Sequence, residues 1–167
     1  MVAVKTEKYM IFNEDCLELF KRIPSKSADL ILTDPPYNIS LYSTGNIPRK
    51  NKKDINNNIA EWDNIEINPQ DYVKHFKRII KPRGNIIIFA GYNQIGKWHE
   101  AFDREFDTFQ IFVWHKINPA PKIYRNGFCN SCEFVIFLWN KKHMWNFSSQ
   151  NFMHNFYECP ICSYPER

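Results

Sequence analysis

Residues 28–40 read ADLILTDPPYNIS, an apolar run that ends in a carboxylate, two prolines and an aromatic ring. Proline offers a carbonyl but no N–H, and two in succession keep the backbone extended and stiff. With the Asp34 carboxylate beside Pro35 and Pro36, this stretch becomes a surface rich in hydrogen-bond acceptors. Such a surface suits a ligand group that only donates, and the exocyclic amine of a nucleobase is one. Tyr37 adds a flat face, and stacking of a base on an aromatic ring is worth about 1–3 kcal/mol. Acceptors and a stacking ring together describe a pocket for a base taken out of its helix. The plainer alternative is a turn after a strand, because Asp and Pro are both common turn residues.

Ligands of open α/β sheets sit beyond the carboxyl ends of the strands, so the elements that hold this stretch decide what it can do. Residues 9–12 are a short apolar run, and residues 15–23 set Leu17, Phe20 and Ile23 at helical spacing. Pro24 closes that helix, and residues 29–33 form the next strand, which makes a βαβ opening. Residues 39–68 are polar and lose hydrophobic periodicity, as expected of a long mobile loop that is either functional or disordered. Asn68 is the expected N-cap of a helix whose apolar face is Tyr72, Val73, Phe76, Ile79 and Ile80, and residues 82–84 are expected to stop it. Residues 85–90 (NIIIFA) read as a strand covered on both faces, and a helix is predicted over 94–106. Residues 108–115 and 132–139 are two further strands joined without a helix. The pattern predicts an α/β fold with a doubly wound, mostly parallel sheet and an antiparallel edge, and little regular structure after residue 142.

The chain has 167 residues, 44% of them hydrophobic, which is enough for one domain with a real core. A net charge of +4 permits a polyanionic partner without demanding one. No apolar run approaches the roughly 20 residues that span a bilayer, and the N-terminus lacks a signal-peptide core, so a cytoplasmic protein without a membrane is expected. Five cysteines are read as reduced thiols or metal ligands rather than a disulfide framework. Cys129 with Cys132 and Cys159 with Cys162 form two CxxC pairs, an alternative zinc site whose separation exceeds the usual one. The basic run at 49–54 supplies Arg49, Lys50, Lys52 and Lys53, either a solvated loop or contacts to DNA phosphates. His115 and Lys116 could face the same groove, with a structural histidine as the alternative.

At the DPPY tetrapeptide the sequence resembles the amino-methylating DNA methyltransferases, which transfer a methyl group from S-adenosylmethionine to adenine N6 or cytosine N4. The resemblance continues in order. NEDCLELFKRIPSKSADLILTDPPYN is similar to the opening of the permuted class in which the catalytic motif comes first, with Glu14 where the family has glycine. YVKHFKRIIKPRGNIIIFAG and NSCEFVIFLWNK match later segments. The resemblance implies a partial Rossmann-like, S-adenosylmethionine-dependent fold. It assigns catalysis to Asp34, Pro35, Pro36 and Tyr37 and places Asp15 and Cys16 near the cofactor's adenosine. Asp15 as a helix-start carboxylate and Cys16 as ordinary packing are the alternatives. An aspartate at position 34 is the form usual for adenine, whereas cytosine-N4 enzymes more often carry serine.

The family also needs a glycine-rich FxGxG turn against the cofactor, and the glycines here, at 45, 84, 91, 96 and 127, cannot form one. Residues 1–167 are therefore expected to be an incomplete catalytic domain, with 143–167 the start of the variable target-recognition region. The expected function is site-specific methylation of adenine N6 in double-stranded DNA, within a restriction-modification setting. A missing C-terminal half or a homodimer partner would complete it. The alternatives are an N4-cytosine methyltransferase, and a catalytically incompetent nucleic-acid-binding remnant or half of a split enzyme. Methylation of RNA or of a protein glutamine is more distant.

Overall fold

The computed structural model describes residues 2–38, 46–47, 55–56, 65–122 and 125–162. The chain runs through β1 (Val2–Lys5), β2 (Met10–Phe12), α1 (Cys16–Arg22), β3 (Ala28–Thr33), β4 (Asn46–Ile47), β5 (Ile55–Asn56) and α2 (Gln70–Ile79). It continues through β6 (Ile80–Ala90), α3 (Ile95–Phe102), β7 (Thr108–Lys116), β8 (Cys132–Trp139), a 3₁₀ turn (Gln150–Phe152) and β9 (Phe156–Cys159). The main sheet has the order β3-β6-β8-β7-β9, while β1 with β2 and β4 with β5 form separate antiparallel pairs.

β3 and β6 are parallel, β7 and β9 are parallel, and β8 runs against both of its neighbours. The α/β class expected from the sequence is present, but the antiparallel strand is internal rather than at an edge. The reason lies in the connection. β8 follows β7 without a crossover helix, so it must return antiparallel. It then lies between β6 and β7, where Val135, Ile136 and Leu138 are buried. β9 adds to the outer side of β7, in a region where little regular structure was expected. Just before it, the Met144 N–H donates to the Arg83 carbonyl (2.9 Å) and Trp145 packs on Trp139 with ring centroids 5.6 Å apart.

Side-chain alternation divides the sheet into two unequal faces. Ile86, Ile88, Ala90, Ile136 and Leu138 point to one face, and the apolar stripes of α2 (Val73, Phe76, Ile79) and α3 (Trp98, Ala101, Phe102) cover them. Phe20 of α1 joins the same layer, 5.7 Å from Phe76, and Phe76 lies 5.9 Å from Phe102. The three helices thus share one side. On the other side β3, the outer strand, leaves Leu30 49% and Leu32 61% exposed.

The proline–glycine stop after α2 is where the ladder is interrupted, not where the strand begins. β6 starts at Ile80, pairs there with Ala28, and pairs next at Asn85 with Leu30, so 81–84 bulge outward. Pro82 has no N–H to contribute to a ladder. Gly84 lets the chains meet closely, since a Cβ there would stand 2.8 Å from the Asp29 carbonyl oxygen. α3 ends at Phe102, four residues short of the predicted end, although Phe106 is still buried.

α2 runs back along the sheet between the parallel strands β3 and β6 and so begins at their carboxyl ends, where Cys16, at the start of α1, lies beside Tyr72. α3 begins just beyond β6. The loop at 34–38 and the turn at 91–94 are consequently gathered at one end. Because Phe76 is 1% exposed and touches rings from two other helices, Phe76→Ala is expected to cost about 3–5 kcal/mol in urea unfolding.

Candidate active site

Asp34 follows the last residue of β3 directly and is exposed, while Pro35, Pro36 and Tyr37 are half-buried. Asn38 then takes a left-handed conformation (φ 51°), which asparagine tolerates better than most residues and which turns the chain out of the loop. Thr33 pairs with Ile88, two residues before the end of β6, so the Asp34 loop and the turn at 91–94 stand side by side.

That turn holds the loop by its backbone. Gln94 Nε2 donates to the Pro36 carbonyl and Asn93 Nδ2 donates to the Tyr37 carbonyl, each at 3.1 Å. Gly91 allows the approach: a Cβ there would lie 3.1 Å from Tyr37 Cβ and 2.6 Å from Asn93 Oδ1. Two of the carbonyls offered by this loop are therefore engaged within the protein. The Asp34 carboxylate and the Pro35 carbonyl are the acceptors the turn does not take.

Asp15 is the N-cap of α1, its Oδ1 accepting from the N–H groups of Leu17 (2.8 Å) and Glu18 (3.3 Å). The cap is the helix-start role that the sequence left open. Cys16 is exposed beside Tyr72 of α2, whose hydroxyl is pushed up to about 12, first by burial and then by the Cys16 thiol. Glu14, which stands where the family has glycine, pairs with Arg22, and that ion pair holds its carboxyl below the usual range. The pair ties the entry of α1 to its last turn.

Arg49, Lys50, Lys52 and Lys53 lie outside the described residues. His115 and Lys116 are spoken for at the end of β7: His115 Nδ1 sits 2.7 Å from Glu158 and Lys116 Nζ 2.5 Å from Glu133. The zinc alternative meets a geometric obstacle. Cys132 pairs with His115 while Cys159 pairs with Lys116, so the two thiols lie on opposite faces of the sheet. Among the described residues no group of three or more His, Cys, Asp or Glu is placed to hold a metal. Cys159 instead accepts from Trp114 Nε1 at 2.9 Å.

Asn93 and Gln94 are not among the candidate site residues of the sequence, whose pattern predicts only a strand over 85–90 and a helix from residue 94. A signal was available. AGYNQ, residues 90–94, is a glycine and amide cluster at the carboxyl end of a buried strand, the same kind of position as DPPY itself.

The fold is that of the methyltransferases acting on nucleobase amines. The structure of the M1.HpyAVI–SAM complex superimposes with a TM-score of 0.55 at 19% identity, over 90% of this chain and 64% of that one. A PvuII DNA methyltransferase described as cytosine-N4-specific gives 0.52 at 16%, over 89% and 56%. A family model described as DNA methylase, of the N6/N4 class, matches residues 28–159, and the chain belongs to this family. Among curated relatives, the type II methyltransferase M.HinfI of Haemophilus influenzae is 27% identical over 94% of this chain and 48% of its own length. M2.DpnII of Streptococcus pneumoniae is 26% identical over 81% and 52%. The chain spans about half the length of these relatives. No helix among the described residues is long and apolar enough to cross a membrane.

The turn's tight packing yields a paired expectation for equilibrium unfolding. Gly91→Ala must push aside Tyr37 or Asn93 and should cost about 1–3 kcal/mol. Gly96→Ala, whose new methyl meets open space in α3, should be neutral or stabilise by up to about 1 kcal/mol.

Proposed function

We propose that this chain carries the base pocket of a DNA methyltransferase that modifies N6 of an adenine flipped out of double-stranded DNA, with S-adenosylmethionine as methyl donor. The observation that carries this reading is the exposed Asp34 carboxylate on a stiff proline loop at the carboxyl end of β3. Its membership of the DNA methylase family supports the same chemistry. A type II modification role is in line with what its relatives are called.

Adenine's exocyclic amine is a poor nucleophile because its lone pair is spread into the ring. Acceptance of its two N–H bonds by Asp34 and the Pro35 carbonyl draws that pair back onto nitrogen, and Asp34 is placed to receive the proton lost when the N–C bond forms. Tyr37 supplies a stacking face. The work is positioning and electrostatics rather than covalent chemistry. S-adenosylmethionine, when bound, would supply a methyl group on a cationic sulfur, which takes back the S–C electron pair and departs as a neutral thioether. The residues at this end suit it: both Asp15 cap bonds fall on Oδ1, leaving Oδ2 to meet an amine or ribose hydroxyl, Cys16 is open, and the charge of Asp34 favours a sulfonium nearby.

Cytosine N4 is the second reading, favoured by the fold shared with the cytosine-N4-specific enzyme; the aspartate at 34 argues for adenine. Nucleoside analysis of DNA incubated with labelled S-adenosylmethionine and the protein together with the cofactor segment inferred below should return N6-methyladenine. Asp34→Ala should lower the rate by at least about 100-fold, and a variant that kept the parent's rate would remove Asp34 from the mechanism.

β3 is the outer strand of the main sheet among the described residues, and its exposed leucines sit beside its open edge. We infer that a segment bearing the FxGxG turn, in the same or a companion polypeptide, covers this edge and completes the cofactor site. The chain by itself should then self-associate through β3. Leu32→Lys should shift it toward monomer in sedimentation velocity, and sharp, reversible, monomeric unfolding of the parent chain would contradict the idea.

A further inference from the structure

Asn93 and Gln94 are poorly explained by stability. Each directs its NH2 group to a carbonyl of the Asp34 loop, but Asn93 Oδ1 and Gln94 Oε1 are buried and lack a partner among the described residues. Trp98 Nε1, one helical turn beyond Gln94, is in the same condition. Gln94 is only 6% exposed. A buried amide oxygen left unpaired typically costs more than one neutral hydrogen bond returns. A methionine of similar length would fill the site beside Trp98 without that cost. What the amides offer, and methionine cannot, is a fixed direction for the Pro36 and Tyr37 carbonyls.

That direction bears on the register of the base. A proline loop with three outward carbonyls beside a carboxylate would accept an amine in several offsets. With the carbonyls of Pro36 and Tyr37 held by the turn, Asp34 and the Pro35 carbonyl remain as one acceptor pair. We infer that Asn93 and Gln94 are positioning residues for methyl transfer: they restrict the loop to a single base register and act on the rate of the chemical step more than on DNA affinity. This rests on the base-pocket reading above. Unpaired buried polar atoms are tolerated where function requires the geometry they support.

The decisive variant is Gln94→Met. Its thermal midpoint should match or exceed the parent's, because the orphaned oxygen is gone. Amide hydrogen exchange at Asp34, Tyr37 and Asn38 should quicken about tenfold or more; in the protein completed by the FxGxG-bearing segment, kcat for methyl transfer to DNA should fall at least about tenfold, with KM for DNA within about twofold. Should Gln94→Met fail to fold, Asn93→Ala, in the turn just before α3, tests the same clamp. Unchanged exchange at Asp34, Tyr37 and Asn38 overturns the inference and needs no activity to be measured. So does an unchanged kcat, or a loss confined to KM. Asp34→Ala run alongside separates the two ideas: if it abolishes transfer while Gln94→Met does not, the clamp is wrong and the pocket stands. If Asp34→Ala retains transfer, the pocket reading itself fails.

Discussion

The parallel pairing of β3 with β6 governs this chain. It requires a crossover, and α2 supplies the helical part of it; the apolar stripe of α2 then lies on the face formed by Ile86, Ile88, Ile136 and Leu138. The same pairing sets the two carboxyl ends level, with Thr33 beside Ile88. Two loops that are more than fifty residues apart in sequence therefore meet, and the amides at 93 and 94 reach the carbonyls at 36 and 37. If the β3 register slipped by one residue, Ile31 would turn away from the helices and Leu30 would turn into them. The loop would shift with it.

Among the described residues three helices bury the face that carries Ile86 and Ile88, and β9 adds an outer strand beside Val113–Lys116 of β7. At the near edge the outer strand is β3, with Leu30 and Leu32 exposed. The acceptor-rich loop belongs to the well-packed β3–β6 unit, and no FxGxG turn occurs in this sequence.

Much of the fold was legible in the residues. The stripe Tyr72, Val73, Phe76, Ile79 marked α2, and NIIIFA marked the central strand, because helical and strand periodicity survive in a single sequence. The errors share a cause. The KPRG stretch read as a stop because proline and glycine usually punctuate, but here the strand already begins at Ile80 and bulges through them. The edge position assigned to the antiparallel strand, and the emptiness assigned to the chain beyond residue 142, both depended on which strand lies next to which. Periodicity does not carry that information.

At the site the division is sharper. Local chemistry alone marked Asp34 to Tyr37, since proline's missing N–H and the adjacent carboxylate are properties of the residues themselves. Asp15 shows the limit of that method, because its residue type and position did not say that Oδ1 caps α1 through the N–H groups of Leu17 and Glu18 and leaves Oδ2 outside those cap bonds. Tertiary structure decided that Cys132 and Cys159 face opposite ways, through the parity of three paired strands. It also decided that Gln94, a residue with no motif of its own, is buried against Pro36. Sequence by itself determined a cluster of hydrogen-bond acceptors, through proline's missing N–H and the neighbouring carboxylate; the direction of its carbonyls was decided by contacts made across more than fifty residues, which only the paired strands bring into reach.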